Sequence, residues 1–199
     1  MRVTSRSLLA AALDAIEEDG QATLSLRDLA RRAGVSHAAP AHHFGDKAGL
    51  RTALATQGFD LLAQELAAAG DDLLAAGVAY VDFAVRHRAH FEVMFRPELY
   101  RADDPELIAA RERASAALRS QVATLPSGGT PADTDRDALA AWSIAHGFAT
   151  LWLAGALPGR VGDNPRDAAR GVLSRLAREP FQPDQPIAGN DHPPRGHRA

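Results

Sequence analysis

The chain contains no cysteine, which excludes disulfide staples, thiolate metal sites and thiol-based redox sensing together. Lysine occurs only at Lys47, so arginine carries nearly all the positive charge. No apolar run approaches the roughly 20 residues that a bilayer-spanning helix needs. The opening segment, MRVTSRSLLAAALDAIEEDG, turns acidic where a secretory signal would need its cleavage site. A cytoplasmic protein with no membrane partner is expected. Period-two alternation never survives beyond a few residues, which argues against strands. Glycine-rich phosphate loops and a G-x-S-x-G elbow are missing as well. Ser143 and His146 share a helix face, but no acidic residue stands where it would orient the histidine. Neither an enzymatic activity nor a cofactor is expected.

What is present is apolar material: 46% of 199 residues are hydrophobic, enough for a core of one large domain or of a small and a medium one. The net charge of −3 argues against nonspecific coating of nucleic acid. Arg27, Arg31, Arg32, Lys47 and Arg51 nevertheless gather in the first part of the chain, where they suit a local phosphate contact.

The stretch SLRDLARRAGVSHAAPAHHFGDKAGL, from Ser25 to Leu50, carries the most information. Ser25 is placed to cap a helix, with Asp28 three positions on as in a capping box, and Leu26, Leu29, Ala30 and Ala33 form its apolar stripe. Gly34 stops that helix in the left-handed conformation, Val35 tucks beneath the turn, and Ser36 is placed to cap a second helix beginning at His37. Pro40 removes one backbone N–H from this second helix and shortens it to a turn or two. Leu9, Leu13 and Ile16 make a preceding helix that ends at Gly20. A three-helix unit whose last two helices flank a glycine turn has helix-turn-helix geometry, which lays its second helix in a major groove. Base-edge candidates on that helix are His37, Ala38, Ala39, His42 and His43. Ser25, Arg27, Arg31, Arg32, Ser36 and Lys47 are the flanking candidates for DNA contact.

The string T-L-S-L-R-D-L-A-R-R-A-G-V-S followed by H-F-G-D-K-A-G-L resembles the N-terminal domain of TetR-type transcriptional repressors. A Trp-x-x-x-His-Gly motif at Trp142, His146 and Gly147 resembles the subset of that family with a W-H-G signature in its C-terminal domain. One departure stands out: family members usually carry a phosphate-touching Tyr three residues before Phe44, and this chain has Ala41 there. The resemblance implies an all-α fold, with a DNA-binding domain over 1–48 and a helical effector-binding and dimerisation domain of about five to six helices over 49–179. It also implies a homodimer on double-stranded, pseudo-palindromic operator DNA, released by a small-molecule effector.

Beyond Asp46, which suits an N-cap, Leu50, Leu54, Leu61 and Leu62 carry a linking helix to about Ala69, with Gly58 a candidate bend. Leu74, Val78, Val81 and Val85 define a helix from Asp72 to near His87, and HFEVMF before Pro97 reads as a short one. Pro105 opens a helix through Val122; SGGTPADTD reads as a loop from Ser127 to Asp135; Ala138 to Leu157 reads as a helix apolar on nearly every side. Asn164 and Pro165 start a last helix up to Arg178, and the tail from Pro180 is polar and Pro-rich enough to be disordered.

The all-round apolar helix suggests a dimer interface formed with the last helix. Its small residues Ala141, Ala145, Ala149, Ala154 and Gly155 allow close approach, with Leu151, Val172, Leu173 and Leu176 filling between. Most aromatics beyond the first fifty residues pack the core, but Tyr80, Phe83, Phe91, Phe95 and Trp142 with His87 and His146 are the candidates for lining an effector pocket. Two other readings stay open. Histidines at 87 and 90, one turn apart, adjacent His42 and His43, and nearby Glu92 and Asp82 permit a metal-responsive regulator, although no metal site is assigned. Pro40 and Ala41 also fit a helical adaptor that has lost sequence-specific DNA binding.

Overall fold

A computed structural model describes residues 5–20, 24–123 and 130–176; the expected disordered tail lies outside them. Every regular element among the described residues is helical. In chain order these are α1 (Ser5–Asp19), α2 (Leu26–Arg32), α3 (Ala39–Phe44), α4 (Lys47–Ala68), α5 (Leu73–Arg86), α6 (Arg88–Met94), α7 (Pro105–Val122), α8 (Pro131–Leu153) and α9 (Pro165–Leu176). Single 3-10 turns lie at Pro97–Leu99 and Gly159–Val161.

The helix starts follow side-chain caps at the residues that favour them. Ser25 Oγ accepts the Asp28 N–H at 3.1 Å, Asp46 the Gly49 N–H at 2.8 Å, Asp72 the Ala75 N–H at 3.0 Å and Asp104 the Glu106 N–H at 3.0 Å. Each saturates a first-turn donor that has no partner inside its own helix. The α8 start departs from the composition-based reading. Thr130, Pro131 and Asp133 form a capping box, so the helix begins within the stretch read as loop and ends at Leu153 rather than Leu157. Gly155, at φ 64°, stops it, with the Ala156 N–H returning to the Leu151 carbonyl at 3.0 Å.

Helix α4 is the spine. It lies along α7 and α6 and touches α5, α3 and α1, and the last two hold α2 between them. Its Leu50 and Leu54 are fully buried with Leu8, Ala12 and Leu29 beneath α1 and α2, and the same continuous core runs on through Val81, Phe83 and Leu107. On α1 the buried edge is Leu8, Ala12, Ala15 and Ile16, with Leu9 and Leu13 only half-buried; the stripe is thus rotated by about one residue from the expected one. At Gly58 the missing side chain has a packing role. It admits α6, since a Cβ there would stand 2.5 Å from Met94 Sδ and 3.2 Å from His90 Cβ.

Candidate functional site

The N-terminal head is built around the glycine turn. The Val35 N–H reaches the Ala30 carbonyl at 2.9 Å and the Gly34 N–H the Arg31 carbonyl at 3.2 Å, a Schellman closure with Gly34 at φ 64°. Val35 packs against the core, as its apolar character requires.

The second helix starts two residues later than expected. Residues 37 and 38 form a turn, Ala38 is the N-cap with no side-chain bond, and it is the Ser36 carbonyl, not its hydroxyl, that is engaged, by the Ala39 N–H at 3.0 Å. Proline explains the shift: a ring inside the helix would strike the carbonyl four residues back, whereas in the first turn its missing N–H costs nothing. Pro40 is buried and Phe44 half-buried, so this i, i+4 pair anchors α3 to the body. His37, Ala38, Ala41, His42 and His43 are left exposed, while Ala39 is half-covered.

Ser25, Arg27, Arg31 and Ser36 are also exposed, and Lys47 is half-buried. Arg32 is placed differently from the other basic candidates. Its guanidinium donates to Glu18 at 2.5 Å, Asp19 at 2.7 Å and Asp28 at 2.7 Å, tying α2 to the end of α1. Three carboxylates already occupy it, so its role is to fix the angle of α2. Arg31 shares Asp28 at 2.6 Å but remains 70% exposed along its side chain. Hydrogen bonds from Arg32 first and Arg31 second hold the Asp28 carboxyl below its ordinary range.

Arg101, in the connection after α6, contacts the base of α3 with no local sequence signal to announce it. Its guanidinium donates to Asp46 at 2.9 Å, and its backbone N–H donates to Thr52 Oγ1 at 3.0 Å. The same Asp46 caps α4. At its other end α6 holds α4 through His90 Nε2 and Gln57 Oε1, 3.2 Å apart. Burial is the main cause that pulls His90 down to about 4, with His87 adding to it.

Between α5, α6 and α8 the aromatic candidates converge. His146 stacks on Phe91 with ring centres 5.2 Å apart and stands edge-on to Phe95 at 4.5 Å. Phe95 also meets Trp142 at 6.1 Å. Tyr80 Oη lies 2.8 Å from His146 Nδ1 and accepts the Trp142 indole N–H at 3.2 Å. Burial raises the Tyr80 hydroxyl and lowers the His146 imidazole, keeping both neutral near pH 7. Phe83 is fully buried, and His87 lies 5.1 Å from it at the α5–α6 junction. Phe83 thus belongs to the core beneath the cluster. His87 and His90 rings are 5.9 Å apart, and among the described residues no group of three potential ligands could hold a metal.

The outer face of α8 also differs from expectation. Ala145 and Ala149 are buried inside the subunit, which leaves them almost no surface to offer another chain, and Ala141 is half-buried. The exposed large apolar residues of α8 are Leu139, Trp142, Ile144 and Leu151; Ala154 and Gly155 are exposed just beyond it, as is Val172 on α9. Leu173 instead packs against Gly77 of α5, where a Cβ would stand 2.8 Å from it. The Leu176 side chain is outside the described atoms.

The sequence of residues 8–54 matches the family described as bacterial regulatory proteins, tetR family, and residues 73–176 match the tetracyclin repressor-like C-terminal domain. No curated protein matches the chain. A solved protein of unknown function from Rhodococcus sp. RHA1 is 34% identical, covering 88% of this chain and 94% of its own, with a TM-score of 0.74. Two further structures share the fold. One is a tetR-family regulatory protein from Rhodococcus RHA1, 20% identical over 89% of this chain and 97% of its own, TM-score 0.67. The other is the TetR family transcriptional regulator PfmR from Thermus thermophilus, 20% identical over 92% of this chain and all 100% of its own, TM-score 0.67. No helix among the described residues is long and apolar enough to cross a membrane.

Proposed function

The chain belongs to the TetR family of bacterial transcriptional regulators, and on that footing we propose that it is a repressor that grips a pseudo-palindromic operator as a homodimer and lets go when a small molecule occupies the aromatic cluster. The turn before α3 and the helix's exposed face read base edges through His37, Ala38 and His42, while Arg27, Arg31 and Lys47 reach phosphates. Ala41 takes the position where the family usually has a tyrosine, and its small side chain lets the backbone approach the duplex. Exposed Leu139, Ile144, Leu151 and Val172 make the dimer seam, α8 and α9 from two copies forming a four-helix contact. Two heads then meet half-sites about 34–36 Å apart, or a multiple of that.

The observation that carries the reading is the route from α6 to α3. The Phe91 and Phe95 rings face His146 at one side of the α6 segment, and a few residues on Arg101 holds Asp46, the cap at the α3–α4 corner. An occupant that displaces α6 pulls on that corner. Moving a two-state equilibrium from 1:99 to 99:1 takes about 5.5 kcal/mol of differential affinity, which two sites in a dimer supply jointly.

Selection of bound genomic fragments by the purified protein, followed by gel shift on the recovered site, tests the proposal. A palindromic fragment bound at two protomers per site is expected, with affinity falling when the cognate ligand is added. Equal weak binding to every duplex would refute it.

A further inference from the structure

Resting on the effector site just proposed, we infer that the cluster selects an uncharged aromatic ligand bearing a hydrogen-bond acceptor, and that His146 Nε2–H is the group that reads it. The donor is fixed by the order of the hydrogen bonds. An indole N–H only donates, so the Tyr80 oxygen accepts from Trp142 at 3.2 Å and its single proton remains for a second partner. That partner is His146 Nδ1 at 2.8 Å. The opposite arrangement, with Nδ1–H donating to Tyr80, would leave a buried phenolic proton without an acceptor. The neutral ring therefore carries its proton on Nε2.

Three features define what suits that proton. Phe91 and Phe95 hold the imidazole plane in place, at 5.2 and 4.5 Å, so the N–H cannot rotate toward a different partner. His146 and Phe95 are half-covered and Trp142 is 38% exposed, which leaves aromatic surface beside the donor for a flat ring to stack on. Among the described residues no charged side chain shifts either Tyr80 or His146. Asp82, two residues on from Tyr80, is taken by Arg86 at 2.6 Å and by Arg166 at 2.7 and 2.6 Å, and Arg111 lies over Phe59. An anion here would lose hydration without a cationic partner. A cation would gain ring faces but would meet an N–H that points its positive end at the ligand.

A size-matched naphthalene set tests this on the full chain by calorimetry and by quenching of tryptophan fluorescence. The probes are 2-acetonaphthone, 2-naphthoate and N-methylquinolinium. The neutral ketone is expected to bind about tenfold more tightly than either ion. His146→Phe should weaken the ketone about tenfold, while His146→Gln, whose amide places an N–H near the Nε2 position, should stay within a few-fold of the parent. Circular dichroism of each variant shows that it is folded. An ion binding as well as the ketone, no binding by any of the three probes, or equal ketone affinity in the Phe and Gln variants would overturn the inference. Gel shift with the ketone separates the two readings: tight ketone binding with no change at the operator removes the regulatory role and leaves the selectivity intact.

Discussion

Gly49→Ala probes the corner on which the DNA-reading helix turns. Gly49 donates its N–H to Asp46 in the first turn of α4, where alanine would ordinarily stabilise the helix by about 1 kcal/mol. A Cβ at this position would stand 2.0 Å from the Phe44 carbonyl oxygen, 3.1 Å from its carbon and 2.9 Å from Arg101 Nη1. Carbon and oxygen tolerate about 3.3 Å, so the end of α3 would have to retreat by more than an ångström. Arginine can swing aside; a backbone carbonyl cannot without opening the turn at Gly45, whose φ is 76°. Overpacking of this kind costs about 1–3 kcal/mol. Set against the helical gain, the net loss is up to about 2 kcal/mol, or a fall in Tm of up to about 8 °C for a chain of this size. Calorimetric melting checks that, and gel shift checks the functional consequence, a loss of operator affinity of about tenfold or more. A Tm raised by the helical propensity alone, with operator binding unchanged, would refute the close approach of α3 to α4.

Arg31→Ala should weaken operator binding and reduce the slope of log K against log salt by about 0.9, as expected for one lost phosphate contact; Arg32→Ala should instead lower Tm first, because its three carboxylate partners are intramolecular. The folded-state pKa of His90 is about 4, below its ordinary value of 6.5, so unfolded chains take up a proton that the native state refuses. Stability should accordingly fall as pH drops from 6.5 toward 4, and His90→Gln should flatten that limb in melts recorded across the range. Asp82 is held below 3.8, mainly by its hydrogen bonds to Arg166 with Arg86 adding to them. Its contribution is complete above that value and is lost as pH falls through the lower native value, so Asp82→Asn should remove part of the acid-limb slope. Gly147→Leu, on the half-open face of α8 where nothing lies within 4 Å, should leave helicity intact but shift sedimentation from dimer to monomer if this face is the seam.

Local chemistry made most of the fold readable. Ser25, Asp46, Asp72 and Asn164 each mark a start through bonds made within a few residues, Pro105 marks one because its missing N–H needs no partner in a first turn, and Gly34 marks a stop through its φ. The same locality explains two misreadings. Thr130, Pro131 and Asp133 have the composition of a loop and the hydrogen bonds of a helix cap, and Ser36 has the composition of a cap but loses that place to the ring of Pro40. In both cases proline's geometry decides, which a count of turn-forming residues does not weigh.

Which face of each helix matters was settled by neighbours far away in the chain. An apolar period tells how much surface a helix must cover but not which of two apolar sides meets its own subunit, so Ala145 and Ala149 turned inward and left Leu139, Ile144 and Leu151 outside. Arg32 belonged to a basic cluster by sequence and to three carboxylates by position. The Arg101 bond to Asp46 and the Trp142–Tyr80–His146 thread span tens of residues, and no periodic signal encodes such a meeting. The all-helical architecture and the glycine-turned head follow from short-range bonding that the sequence alone dictates. The chain of contacts between the aromatic cluster and that head exists only once α4, α6 and α8 are brought together, because hydrogen bonds and ring contacts act over a few ångströms of space whatever the distance along the chain.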